Sequence, residues 1–417
     1  MFKKCIIAAA VGVMTFNAQA GDGITVSADV NARVGVLSRS GATAKDFANS
    51  NESVDGNYGV FIAGSRDLKN GYSAGFYCHT VATTAPGASA AFTAEALPVK
   101  NGWDGYFAGK ENYPNNTHGG GFASYGESNG DNLGPFCNDE VYGTLGTPYG
   151  TFKVGNIMNP MRLLYDMATV DPLWGNQFGY YNLSDIRGNA LNYNNTFGSF
   201  RVDAQWQTAT SATTPSSVSS KGHGLTALLT YDTGDGTTLG GGLMTVNGAF
   251  NAKDVVASAG GQHNKAYGLM ARTLFGRVNA GYTFITGKQR PDGYQTLTGG
   301  ADAFKLYDHT FKLSYDVGAW SLQGFASYSK TSFNQNVPTA WGGFYTVQDN
   351  SAMNGKTFGL LDIKRTSIDL WALYNLGNGT QPYLRLNTIQ KKYSAGDINY
   401  NGTIRGTKLE AGWMIHL

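Results

Sequence analysis

The sequence predicts an all-β protein, a 16-stranded antiparallel transmembrane β-barrel. Three observations predict it. Apolar and polar residues alternate with period two along many runs of about ten residues. Short glycine-bearing turns take strict turns with long polar segments. No run after residue 20 is long and apolar enough to cross a membrane as a helix.

The alternation sorts side chains onto two faces. "RVNAGYTFI" places Val278, Ala280, Tyr282 and Phe284 on one side and Asn279, Gly281 and Thr283 on the other. "HTFKLSYDVG" sets Phe311, Leu313, Tyr315 and Val317 against Lys312, Ser314 and Asp316, and "TKLEAGWMIHL" aligns Leu409, Ala411, Trp413, Ile415 and Leu417. Period two means one apolar and one polar face.

A soluble sandwich alternates too, so the connections decide. Seven short turns recur: "LKNGY", "TPYGT", "TFGSF", "DTGDGTT", "LFGRV", "YDVGAW" and "LGNGTQ". Eight longer polar segments lie between them, among them Ser38–Asn57, Ala82–Phe136 and Asn334–Ile363, which makes fifteen connections and sixteen strands. Trimming one end and elaborating the other is expected of an outer-membrane barrel with short periplasmic turns and long external loops. An even strand number puts both termini on the periplasmic side. Closure is required, because an open edge in lipid leaves backbone groups unpaired. Tyr72, Trp320, Tyr328 and Trp413 stand near run ends, as interface girdles do. Sixteen strands leave an aqueous lumen. Residues 21–417 therefore read as one barrel domain, with 82–136 too long for an ordinary loop.

The first twenty residues read as an export signal: Lys3 and Lys4, the apolar "CIIAAAVGVMTF", and an A-x-A site ending at Ala20. They carry two lysines and no acid, so the formal charge falls from +2 to zero without them. A neutral chain without a basic cluster along its sequence argues against nucleic acid as the partner. With 57 Gly, 24 Tyr and 22 Phe, and charged residues at 14%, the composition is not that of a disordered chain. Cys78 and Cys137 remain after the signal, and in an oxidising compartment such a pair is more often a disulfide than a metal or catalytic site. The six histidines are scattered, and nothing matches G-x-S-x-G, HExxH or a CxxC pair, so neither an enzyme nor a cofactor is expected; the alternative is an outer-membrane barrel enzyme whose Ser/His constellation is assembled across strands.

One stretch breaks the pattern. "YDMATVDPLWGNQFGYYNLSDIRGNALNYNNTFGSF", Tyr165 to Phe200, is aromatic, apolar and acidic without period in its first half. It alternates cleanly from Arg187.

Four stretches, in order and at plausible spacing, carry a resemblance: "NYGVFIAGSRDLKNGYSAGFY", "VYGTLGTPYGTFKVGN", the Tyr165 segment continued through "RVDAQW", and the terminal "AGWMIHL". Together they resemble the general trimeric porins of Gram-negative outer membranes, particularly those of β-proteobacteria. The resemblance implies passive diffusion of small hydrophilic solutes and ions. A third loop, here 159–188, would fold into the barrel and narrow it. Loop acids facing basic wall residues would then set a focused field across the channel. Asp166 and Asp171 match the loop acids, Trp174-Gly175 the aromatic-Gly corner, and Arg187 the lumen-pointing arginine of the next strand. The alternative role of all three charges is to pin the loop to its own backbone. Trp174 and Phe178 would pack the loop, while Tyr180 and Tyr181 offer a surface on which a sugar could stack, as in a substrate-binding porin.

The departures point to a weaker field. Leu173 stands where the family has an acid, Gly59 and Asp139 stand where it has wall arginines, and Leu417 replaces the usual terminal aromatic. Arg33, Arg272 and Arg385 fall on lumen faces and are candidate substitutes. Implied partners are the lipid bilayer and lipopolysaccharide, the barrel assembly machinery, and two further copies in a homotrimer. The 82–136 segment would either latch a neighbouring subunit or cover its own barrel mouth.

Overall fold

In the computed structural model the described residues are 23–41, 52–83, 137, 140–170, 172, 187–208, 223–248, 262–291, 304–333, 346–349, 356–395 and 400–417. The expected signal segment, nearly all of 82–136, Asp139, Asp171 and the 173–186 stretch lie outside them.

The wall begins with β1 (Ile24–Gly41), β2 (Glu52–Lys69), β3 (Tyr72–Thr83), β4 (Glu140–Thr147) and β5 (Gly150–Met158). A helix, α1 (Met161–Ala168), follows. Then come β6 (Arg187–Phe197), β7 (Phe200–Thr208), β8 (His223–Asp232), β9 (Thr237–Gly248), β10 (Gln262–Phe275) and β11 (Val278–Pro291). The remainder is β12 (Phe304–Val317), β13 (Trp320–Phe333), β14 (Thr346–Asp349), β15 (Lys356–Tyr374), β16 (Thr380–Ala395) and β17 (Tyr400–His416).

Every wall strand pairs antiparallel with its sequence neighbour, and β1 also pairs with β17, so the sheet closes. Strand β14 stands apart: it pairs only with the start of β15, while β13 pairs with β15 directly. The closed wall therefore has sixteen strands, as the turn pattern implied. At the seam the backbones of Ala28 and Leu417 exchange two hydrogen bonds, 3.0 and 2.8 Å, and Asp29 Oδ1 lies 2.6 Å from His416 Nδ1.

All seven glycine-bearing turns reverse the chain where the sequence placed them. At the β2–β3 reversal Asn70 and Gly71 both have positive φ, 53° and 79°, as a two-residue hairpin with right-handed strand twist requires. The strands themselves run beyond the expected ten residues, up to nineteen in β15. Strand β1 continues to Gly41 and β2 starts at Glu52, inside the segment read as a loop over 38–57; β14 and β15 likewise enter 334–363. Outside the bilayer the outer face no longer needs apolar side chains, so alternation fades while backbone pairing continues.

The two faces separate cleanly. Leu229, Leu243, Tyr267, Leu269, Phe311, Leu384 and Leu409 are exposed on the outside, and Thr230, Thr283, Thr310, Asp369 and Glu410, at positions of the opposite parity, are buried on the inside. This inversion of a water-soluble protein is the surface a barrel in lipid presents. Cys78 on β3 is disulfide-bonded to Cys137, just before β4, with Cα atoms 4.9 Å apart. The Cys137 amide donates to Thr80 Oγ1 at 2.8 Å and fixes the same corner.

Candidate functional site: the lumen constriction

The chain leaves β5 through Asn159-Pro160 and turns inward. The Asn159 carboxamide oxygen accepts the Met161 amide at 2.9 Å, and its Nδ2 donates to Thr226 Oγ1 at 2.7 Å. Proline in the first turn needs no amide partner. From there Met161, Leu164, Tyr165 and Ala168 recur at i, i+3, i+4 and i+7, one stripe of a helix. All four are buried against Leu228, Met244, Ala266, Met270 and Ile285 of β8 to β11. Those wall residues alternate with the exposed outer residues Leu229, Leu243, Tyr267 and Leu269, so α1 lies inside the barrel.

The stretch read as period-free is thus helical at its start. Its signal was present, but it began at Met161, ahead of the break at Tyr165. The lumen face was expected to be polar throughout; beneath α1 it is apolar. Glycine lets the helix approach the wall. An added Cβ at Gly268 would stand 3.0 Å from Met161 Cε and closer still to Leu164 Cδ1, and one at Gly281 would overlap the Ala168 carbonyl oxygen. The far end of α1 is held as well: Thr169 and Thr283 hydroxyls lie 2.8 Å apart, and Lys312 Nζ donates to the Val170 carbonyl at 2.9 Å.

Asp166 points to a neighbour on its own helix. Its Oδ1 accepts from Arg162 Nε at 2.6 Å, one helical turn back, and the Arg162 guanidinium lies 5.6 Å from the Tyr165 ring centre. Arg187 opens β6, opposite Met158 of β5. Its side chain and the whole of Asp171 lie outside the described structure.

Across the ring from α1, the inner faces of β1 and β15 to β17 carry a charged cluster. Glu410 is buried among three cations, with Arg33 Nε at 4.0 Å, Arg385 Nη1 at 3.9 Å and Lys408 in direct contact. Arg385 also grips Asp369 in a bidentate pair, with Nε at 3.0 Å and Nη2 at 2.9 Å, and lies 4.5 Å over the Trp371 ring. Tyr383 donates to Glu410 at 3.0 Å and accepts from Asn31 Nδ2. A planar guanidinium held by two bonds and a ring has few ways to move, which fixes this charge on the inner wall.

The structure therefore brings together Arg33 and Arg385 of the sequence candidates. Arg272 does not join them; it is exposed near the β10–β11 turn and donates to Asn279 Oδ1 at 3.2 Å. Lys408, Glu410 and Asp369 were missed. The first two lie on the polar face of "TKLEAGWMIHL", the face complementary to the apolar register that had marked the strand.

A closed sixteen-stranded wall, apolar outside and largely polar inside, with a helix seated in its interior, is the architecture of a porin-fold β-barrel. In-vitro folded OmpT of Vibrio cholerae superposes with a TM-score of 0.56 at 11% identity, over 94% of this chain and 97% of that one. An anion-selective porin from Comamonas acidovorans does so with a TM-score of 0.55 at 15% identity, over 94% and 99%. A further porin gives 0.51 at 13%, over 94% and 100%. What is shared at such identities is the general porin fold. No family model matches the sequence, and no curated protein matches it.

Proposed function

We propose that the protein is an outer-membrane pore through which small hydrophilic solutes and ions diffuse passively, without chemistry and without a cofactor. The observation that carries this reading is the interior helix. A chain that only needed to close a barrel would not bury Met161, Leu164, Tyr165 and Ala168 against a glycine-lined patch inside it. Seating a helix there narrows the water path and fixes its cross-section. On one side of that path stands the Arg33, Arg385 and Lys408 cluster; on the other stands α1, which carries Asp166. Asp166 contributes little net field, because Arg162 neutralises it at 2.6 Å. Asp171 and Arg187 are the remaining loop charges that tune ion preference. The functional unit is a homotrimer, in keeping with the trimer form of Vibrio cholerae OmpT, which shares the fold.

Planar-bilayer recording tests this. Ohmic steps that micromolar sugar leaves unblocked are expected. Sugar-dependent block would replace the general pore by a substrate-binding one, and absence of conductance would remove both. Arg187→Ala should shift the reversal potential toward cations; an unchanged value would make Arg187 structural.

A further inference from the structure

The inner wall from β2 to β5 carries a row of aromatic side chains, apart from both the charged cluster and α1. Its direction follows from the registers. Asn31 and Arg33 face inward on β1, and Asn31 pairs with Asn57, so Phe61 faces inward on β2. Phe61 pairs with His79 of β3, and Tyr77 of β3 with Tyr142 of β4. Phe76, Leu145, Phe152 and Val154, at the opposite parity, are exposed on the outside. The row thus lies on the wall between β1 of the charged cluster and the point where the chain leaves β5 for α1.

The rings stack on one another. Phe61 and His79 lie 4.1 Å apart at 9°, and Tyr77 and Tyr142 lie 5.0 Å apart at 24°. Phe61 and Tyr77, 6.4 Å apart and tilted by 45°, join the two pairs. Lys153 of β5 ends the row, its ammonium 5.1 Å from the Tyr142 ring centre. All five side chains are half-buried. Glycine gives them room. A Cβ added at Gly59 would stand 3.1 Å from His79 Nε2, and one at Gly155 would stand 2.8 Å from Tyr142 Cβ. Gly59 is a position where the resemblance had implied a wall arginine; an arginine there would have to displace the stacked ring.

Rings stacked face to face along a wall turn their edges to the lumen. An aromatic edge is the positive part of the ring's quadrupole, and its favoured partner is the negative face of another ring. Lys153 adds a cation at one end, held against the Tyr142 ring. Glu140 and Asp203, acids of the same inner face, are engaged. Glu140 accepts the Met158 amide at 2.9 Å, while Asp203 accepts from Asn192 at 2.6 Å and lies 3.6 Å from Arg201. The complement of such a row is a flat π face that carries an anionic group.

We propose that this row is a lumen subsite for planar aromatic carboxylates, the solute's ring laid across the ring edges and its carboxylate against Lys153. The inference rests on the pore reading and names a solute class that the pore retains in passing.

The test compares benzoate with cyclohexanecarboxylate, which has the same charge and a bulkier apolar ring but no π face. Planar-bilayer current is recorded through the full-length folded protein with either acid added at millimolar concentration. Benzoate should reduce the open-channel current at a concentration lower by about 2- to 10-fold. F61L/Y142L should remove that preference, and K153Q should weaken the benzoate effect while leaving that of neutral benzyl alcohol unchanged. Equal effects of the two acids, or no effect of either, overturn the proposal, as does an undiminished preference in F61L/Y142L. A K153Q channel as sensitive to benzoate as the parent overturns it too, since the carboxylate would then have no partner in the row. If a variant fails to fold, the two-acid comparison on the unaltered chain still decides. Current in salt alone reports the pore separately; without any current, saturation-transfer NMR of the same two acids with the protein in detergent decides the subsite.

Discussion

Leu164→Ala is the sharpest probe of the interior helix. Leu164 is wholly buried between α1 and the wall, and the glycines opposite it have no side chains with which to fill a gap. Removing three carbons from such a site costs about 2–5 kcal/mol. Each 1.4 kcal/mol is a factor of ten, so the ratio of seated to unseated helix should fall on the order of 30-fold to several thousand-fold. The barrel itself should be indifferent, because its wall is held by backbone ladders that do not involve Leu164. Single-channel recording should therefore show excursions to a wider, noisier open level, while the heat-modified shift on gels keeps its midpoint. A variant with normal conductance, normal noise and a normal midpoint would refute the view that α1 sets the pore cross-section by packing. Gly281→Val, which drives a side chain into the Ala168 carbonyl, should reproduce the same signature from the wall side.

Three other outcomes follow. Cys78 and Cys137 close a loop with a sequence separation of 59, which in the chain-entropy model is worth about 4 kcal/mol; the Cys78→Ser/Cys137→Ser protein should melt earlier, and the unreduced parent should weigh two hydrogens less than its dithiol. Glu410→Gln leaves Arg33, Arg385 and Lys408 facing one carboxylate fewer, so the reversal potential should move toward anions; a shift toward cations would mean the cluster is not sensed by permeating ions. In the β8–β9 turn the Thr233 hydroxyl, and then the Thr237 amide at 3.0 Å, hold the Asp235 carboxyl below its usual value. A depressed acid stabilises the turn above the ordinary carboxylate value near 4 and loses that effect as pH falls through its folded value. Exchange protection of the Thr237 amide should fall with acid in the parent and be low and flat in Asp235→Ala.

The wall was legible because each constraint on it is local. A glycine-bearing turn reverses the chain wherever it occurs, and lipid imposes alternation residue by residue, so the seven turns and the faces of β11, β12 and β17 could be read directly. Strand ends were less legible, since hydrogen bonding outlasts the bilayer while the hydrophobic pattern does not. The lumen was partly hidden for a different reason. Alternation assumes water inside, and α1 replaces that water with a second apolar surface, so Met244, Met270 and Ile285 face inward against the rule. Arg33 and Arg385 could be assigned to the lumen from parity alone, but their meeting with Glu410 and Asp369 depends on the register across the seam. Parity says which face a residue occupies and nothing of its height.

The seam between β1 and β17 has a bearing on how such a protein is made. Asp29 and His416 touch across a separation of 387 residues, so the contact that closes the wall joins its first strand to its last. Until it forms, β1 and β17 each present a bare edge, and no shorter arc of the wall can rest in hydrocarbon. The residues around Ala28 and Leu417 therefore decide whether the wall closes at all.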